Sequence, residues 1–336
     1  MTDALIDRAL EEARVAFACR SAIIHEHREI RCPYSVVGRI RLECDGIQRT
    51  VYLKRVKADG IGNAAASRRV QLEYETLHSL FEHFRGHAIG GVPRPLALFA
   101  EEAALLTEEV PGTALMDLIG RYAKRFVFGL SEDVLAQHCA SAGAWLREFQ
   151  SFTAQGRARF NCEGLMQYCE GRLNALVALP SSGIDPNFVR RFRKYMQRRY
   201  RQIESKADTI VGRHNDFSPH NILIHEGRVS VIDFGFFDRD SYLYDLCKFW
   251  FQLECMKVSP LYRKSSIDRL QQSFFAGYGS APAVSDPAFE MVASRYFITR
   301  MVTMAKEGMR TAVGGWVDRR SYRWCRDWLA ARVVDA

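Results

Sequence analysis

Residues 214–235, HNDFSPHNILIHEGRVSVIDFG, decide how this chain is read. NILIH and RVSVID are rich in β-branched residues and flank Glu226-Gly227, so the segment predicts two short strands joined by a tight turn. Texture changes on both sides of it. From Leu115 to about Ser205 helical periodicity dominates, with a break at Pro180–Asn187, and helical spacing returns after Tyr244 and runs to the end. Further upstream, alternating and β-branched residues between about Arg28 and Val56 surround Asp45-Gly46, which predicts two antiparallel strands. A helix is expected from Ala64 to about Phe84, followed by two more strands around Glu101-Glu102 and a stop at Pro111-Gly112. The first residues, MTDALIDRALEEARVAF, place acids among apolar positions as an amphipathic helix does, and not as a signal peptide does. The expected fold class is α+β, a small antiparallel sheet with one main helix ahead of a larger, mostly helical part.

The composition excludes several classes. With 336 residues, 48% of them hydrophobic and 12% aromatic, the chain can bury a core and divide it between two lobes. No apolar run approaches the roughly 18–20 residues that span a bilayer. Nine scattered cysteines without a C-x-x-C pair fit a reducing cytoplasm better than a disulfide framework or a zinc site. Cys162 and Cys169 read as buried small hydrophobes, and His25 and His27 as surface residues. The net charge of +8 is concentrated: between Arg190 and Lys206 eight bases face the single acid Glu204. Any electrostatic attraction of a partner must act through that segment.

The segment 214–235 resembles the catalytic segment of the protein-kinase-like superfamily, with His-x-Asp, an Asn five residues after that Asp, and a strand ending in Asp-Phe-Gly at 233–235. The resemblance implies phosphoryl transfer, with the Asp216 carboxylate at the attacking hydroxyl and Asn221 and Asp233 as oxygen ligands of Mg2+ across the nucleotide phosphates. It further implies a lysine on the third strand and an acid on the next helix. Lys54 ends TVYLK, and Glu73 lies 19 residues on. Glu73 is preferred to Glu75 because Leu77 and Leu80 stand at +4 and +7 from it, on one helical face. LLTEEVPG, residues 105–112, resembles the hinge, with the Glu108 carbonyl and the Val110 amide as contacts to adenine and Thr107 at the back of the pocket. Two departures stand out. No G-x-G-x-x-G precedes Lys54, where Gly38 is alone, and Tyr52 occupies a position that the superfamily usually gives to a small residue.

Position 218 is Ser where protein kinases carry Lys, and no A-P-E follows Gly235. FDRDSYLYDLCKF instead resembles the D-x-x-x-Y-D-L segment of aminoglycoside phosphotransferases and choline kinases, in which the acid matching Asp245 holds the catalytic loop and His214 is a similar scaffold. By motif order this likeness runs from about Val36 to Tyr244. It implies a bilobal protein-kinase-like fold: residues 1–110 as the nucleotide-binding N-lobe, and 111–336 as the C-lobe with the catalytic loop and acceptor site. ATP, with GTP as the alternative, and Mg2+ would be the cofactors. The implied activity is transfer of a γ-phosphoryl group to a hydroxyl of a small-molecule or glycolipid acceptor, a sugar or glycoconjugate first and an aminoglycoside or choline-type amino alcohol second. A non-catalytic pseudokinase scaffold is the reading from another class. On a helix, Phe188, Phe192, Tyr195 and Ile203 would face inward and leave the arginines outside. That basic face is either simply solvated or a contact for an anionic acceptor or an anionic membrane surface, which adds membrane association as an alternative to a purely cytoplasmic location. No nucleic-acid module accompanies the charge, and no nucleic acid is expected.

Overall fold

Asp45 and Gly46 both adopt positive φ, 48° and 83°, as the tight turn of a two-residue hairpin requires. The computed structural model describes residues 1–124, 132–279, 282–307 and 312–334. Its elements run α1 (Asp3–Ala16), β1 (Ala22–Arg31), β2 (Ser35–Cys44), β3 (Ile47–Val56), α2 (Asn63–Phe84), β4 (Gly90–Gly91), β5 (Pro95–Phe99), β6 (Ala104–Glu108) and β7 (Thr113–Ala114). They continue with α3 (Leu115–Tyr122), α4 (Glu132–Phe152), β8 (Gly156–Arg159), α5 (Cys162–Val177), α6 (Pro186–Arg201), β9 (Ala207–Arg213), β10 (Ile222–His225), β11 (Arg228–Val231) and β12 (Asp238–Ser241). The last four are α7 (Leu243–Met256), α8 (Lys264–Tyr278), α9 (Pro287–Glu307) and α10 (Ala312–Val333). The helical expectation over 125–131 and 308–311 lies outside the described residues. The α+β class is the one expected. The chain forms two compact units, one of Met1–Leu115 with His220–Phe237 and one of Met116–Pro219 with Asp238–Ala336.

In the first unit an antiparallel sheet has the order β1-β2-β3-β6-β5. Alternation along β3 sends Val51 and Leu53 to one face, where they join Leu5, Ala9 and Ala13 of α1 in a buried cluster. Tyr52 and Lys54 point to the other face, the one α2 covers. The helix turns Val70, Glu73, Leu77, Leu80 and Phe84 inward, a spacing of three and four residues. A second sheet, β4-β11-β10-β7, contains the hairpin read from the sequence, with Ile222 opposite Val231 and His225 opposite Arg228. Between Ala22 and Val56 the sequence reading gave two strands and the structure has three. The additional one, β1, is exposed along most of its length, so little apolar alternation marks it.

The second unit is mainly helical, with a small sheet β8-β9-β12 that the sequence reading also missed. Strand β8, Gly-Arg-Ala-Arg, is exposed at every residue and carries no burial signal. An aromatic core holds the unit together: Trp145 stacks on Phe149 and Phe217, and Phe249 stacks on Phe274 with centroids 3.9 Å apart. Helix α6 starts where Asp185 accepts the N–H of Phe188 at 2.6 Å, with Pro186 as its first residue. It buries Phe188, Phe192 and Tyr195, as the spacing predicts, and Ile203 is buried just beyond it. Two of its bases are already paired, Arg193 with Glu170 and Arg199 with Glu290. Among the described residues, no helix is long and apolar enough to cross a membrane.

Helices α4 and α8 approach closely because Gly143 has no side chain: a Cβ there would stand 2.1 Å from the Phe274 carbonyl oxygen. Gly143→Ala is expected to force the helices apart at a cost of about 2 kcal/mol, a fall of roughly 4–8 °C in the thermal midpoint. Gly171→Ala, inside α5 where a Cβ meets nothing within 4 Å, serves as the control and should leave the midpoint unchanged or raise it by a few degrees in the same calorimetric scan, because alanine is the better helix former.

Candidate active site

Each unit gathers part of the site residues expected from the sequence. In the first, β3 presents Lys54 between Val37 of β2 and Leu105 of β6, on the face that α2 covers. Its Nζ donates to Glu73 Oε1 at 2.8 Å and to Asp233 Oδ1 at 2.5 Å. The Glu73 side chain is 2% exposed, that of Lys54 17% and that of Asp233 43%, so the ion pair is rooted in the core and opens toward solvent at Asp233. Burial disfavours the Lys54 ammonium, but the Glu73 and Asp233 carboxylates outweigh it and hold its pKa above the ordinary value. For Glu73, burial pushes the carboxyl up against the lowering pull of Lys54. Glu75 is exposed and bonds to Gln71, so the helical spacing selected the inward-facing acid.

The β10–β11 hairpin explains why Asn221 and Asp233, twelve positions apart, stand at one end. The N–H of Ile232 donates to the Asn221 carbonyl at 3.0 Å, which extends the ladder one step beyond Ile222 and Val231. Asp233 then turns out of the ladder at φ 67°, a left-handed conformation that Asp tolerates better than most residues. One amide oxygen and one carboxylate make a hard oxygen donor set, which fits Mg2+ and is wrong for a soft metal. Gly235 follows. A Cβ on it would lie 2.9 Å from Lys54 Nζ and 3.1 Å from Glu73 Oε2, so a side chain there would press on the ion pair. The sequence reading missed Arg69, one helical turn before Glu73, whose Nε donates to the Gly235 carbonyl at 2.6 Å while its guanidinium lies 4.0 Å from the Phe236 ring centroid.

Glu108 ends β6 opposite Val51, and the N–H of Glu109 donates to the Thr50 carbonyl at 3.0 Å, so Val110 lies where this ladder stops. Tyr52, opposite Thr107, directs its hydroxyl to Glu109 Oε1 at 3.2 Å, and Arg39 donates to the same oxygen at 3.2 Å. The tyrosine that departs from the expected pattern is therefore held by a polar cluster beside the end of β6.

The second unit holds Asp216. Its loop follows β9 and is fixed by Asp245 on α7, a fully buried carboxylate that accepts the N–H of His214 at 2.7 Å and of Asn215 at 3.0 Å. Burial pushes the Asp245 carboxyl up, and His214 with these two backbone donors pulls it down. The N–H of Asp216 donates to His214 Nδ1 at 3.2 Å, and Phe217 is anchored in the aromatic core, so both neighbours of Asp216 in the loop have fixed places. Lys248, which the sequence reading also missed, reaches Asp216 Oδ1 with its Nζ at 2.9 Å. It stands three residues after Asp245, on the same helical face, but nothing local in the sequence says that this basic residue meets the Asp216 loop.

A family model described as the phosphotransferase enzyme family matches residues 46–285, more than half of the chain. No curated protein matches the sequence. Among solved structures, one of glucosamine kinase in complex with glucosamine, ADP and inorganic phosphate is similar at a TM-score of 0.60 and 16% identity, covering 97% of this chain and 86% of that one. The streptomycin-ATP-APH(2")-IIa ternary complex is similar at a TM-score of 0.54 and 15% identity, over 98% and 97% of the two chains. Aminoglycoside phosphotransferase APH(3'')-Id from Streptomyces rimosus has a TM-score of 0.51 and 18% identity, over 88% and 98%. At these identities the likeness is one of fold, the protein-kinase-like fold.

Removing Glu73 leaves the Lys54 ammonium without its buried partner. Glu73→Ala is expected to lower the free energy of unfolding by about 2–3 kcal/mol, whereas Glu75→Ala on the exposed side of α2 should change it by less than about 0.5 kcal/mol. Equal effects in denaturant titrations would place Lys54 elsewhere.

Proposed function

The chain belongs to the phosphotransferase enzyme family, and from that premise we propose that it moves the γ-phosphoryl group of ATP, with GTP as the alternative donor, to a hydroxyl of a sugar or glycoconjugate. The observation that carries this reading is Lys54 Nζ held at 2.8 Å from Glu73 and 2.5 Å from Asp233. An ammonium kept charged and directed by a buried acid is suited to bind the α and β phosphates. Asn221 and Asp233 would hold magnesium, which when bound neutralises charge across the nucleotide phosphates. The Glu108 carbonyl and the Val110 amide would receive the base. Asp216 would orient the acceptor hydroxyl. The acceptor oxygen forms its bond to the γ-phosphorus as the bond to the bridging oxygen of the departing nucleoside diphosphate breaks. The hydroxyl proton passes to Asp216 or to the transferred phosphoryl group. In a loose transition state little base strength is needed, so fixing the carboxylate matters more than raising its pKa.

The glucosamine bound by one structural relative supports a sugar as acceptor, and the streptomycin bound by another supports the aminoglycoside alternative. Two of the bases on α6, Arg193 and Arg199, are already taken up by the acidic partners Glu170 and Glu290.

ADP formation from Mg-ATP, followed with glucosamine, neutral sugars, glycolipid fragments, choline and streptomycin in parallel, tests the reading. A sugar is expected to score, and a signal with choline or streptomycin alone would move the assignment to that class. Asp216→Asn should reduce turnover by about a thousandfold with nucleotide affinity within threefold of wild type, and Asp233→Ala should abolish the magnesium-dependent thermal shift by ATP. Retained turnover in Asp216→Asn would overturn the site.

A further inference from the structure

The loop His214–Pro219 contains no lysine or arginine, yet a cation stands at its acid. It comes from α7. One turn of that helix carries Asp245, which takes the backbone N–H groups of His214 and Asn215, and Lys248, whose Nζ lies 2.9 Å from Asp216 Oδ1. The same turn thus holds both the backbone of the loop and the side chain at its tip. The Lys248 side chain is 19% exposed and that of Asp216 is 39% exposed. The pair is therefore drier on the lysine side and open on the aspartate side. On its other flank the ammonium lies 5.8 Å from the ring centroid of Tyr296, whose hydroxyl donates to the Tyr244 carbonyl at 2.9 Å. The ammonium thus lies between a buried ring and the carboxylate.

We propose that Lys248 is a positioning residue for phosphoryl transfer: it fixes the direction of the Asp216 carboxylate toward the acceptor hydroxyl. This rests on the assignment of Asp216 in the preceding section. A charge-assisted bond to one carboxylate oxygen removes a rotational freedom that an aspartate alone retains, and orientation is worth more here than basicity. The competing account is a plain ion pair that ties α7 to the loop. Such pairs contribute little to stability on average, and this account predicts that any effect of removing Lys248 appears in the melting temperature.

The full chain is assayed for ADP formation from Mg-ATP, with glucosamine and with water alone as acceptor, in wild type, Lys248→Met, Lys248→Gln, Lys248→Arg, Asp216→Asn and the double variant Lys248→Met/Asp216→Asn. Lys248→Met and Lys248→Gln are expected to lower kcat at least thirtyfold, with the KM for ATP within threefold and the melting temperature within about 2 °C. Lys248→Arg, which keeps a cation, should recover most of the loss. The double variant should be no slower than Asp216→Asn within threefold, because the lysine acts through that carboxylate. If Asp216→Asn is inactive while both neutral variants keep kcat within threefold, the Lys248 assignment falls and the proposed function stands. It also falls if kcat is lost only together with a drop in melting temperature, or if the two losses multiply in the double variant. If wild type forms no ADP, or Asp216→Asn keeps wild-type turnover, the proposed function itself fails and Lys248 with it.

Discussion

A lysine ammonium loses hydration when it is placed against the inner face of a sheet, and it stays charged there only if carboxylates meet it. The Lys54–Glu73–Asp233 contact meets that requirement, and it binds three separate pieces of the first unit to one another. Lys54 comes from β3, Glu73 from α2, and Asp233 from the end of the β10–β11 hairpin. Each must be in register for the others to be satisfied. A slip of one residue in β3 would turn Lys54 to the α1 face, into the cluster formed by Leu53, Ala9 and Leu106. The apolar alternation of β3 and the ion pair therefore specify the same register. The absence of a side chain at Gly235 is part of the same constraint, since a methyl group there would take up the room that Lys54 and Glu73 occupy.

The loop around Asp216 solves a different problem. It leaves β9 with Asn215 at φ 65°. A buried carboxylate, Asp245, takes the place of a strand partner by accepting two of its N–H groups. Phe217 inserts into the rings of Trp145, Phe249 and Phe274, so the loop is anchored by packing on one side and by hydrogen bonds on the other. The close approach of α4 and α8 at Gly143 supports this aromatic core from behind. Packing between α4 and α8 thus bears on how well the loop around Asp216 is held.

How much of this was legible in the sequence follows from which residues repeat a period or stand in an ordered motif. The hairpins at Asp45-Gly46 and Glu226-Gly227, the inward face of α2, the choice of Glu73 over Glu75 and the buried face of α6 all leave such marks. Strands β1, β8 and β12 did not, because exposed strands alternate nothing hydrophobic with polar residues. Arg69 and Lys248 were passed over because a single basic residue on a helix reads as surface until its neighbours in space are known.

By itself the sequence marked the α+β class and the helices and hairpins with a clear period, because periodicity is a local property of the chain, while the residues from Lys54 to Asp233 were picked out by the resemblance of their order to a family motif. Only the tertiary structure decided which oxygen Lys54 touches, that Arg69 takes the Gly235 carbonyl and that Lys248 meets Asp216. Those contacts join residues from 32 to 179 positions apart along the chain. Distances of that kind depend on how whole helices and strands pack, and no local pattern of residue types encodes them.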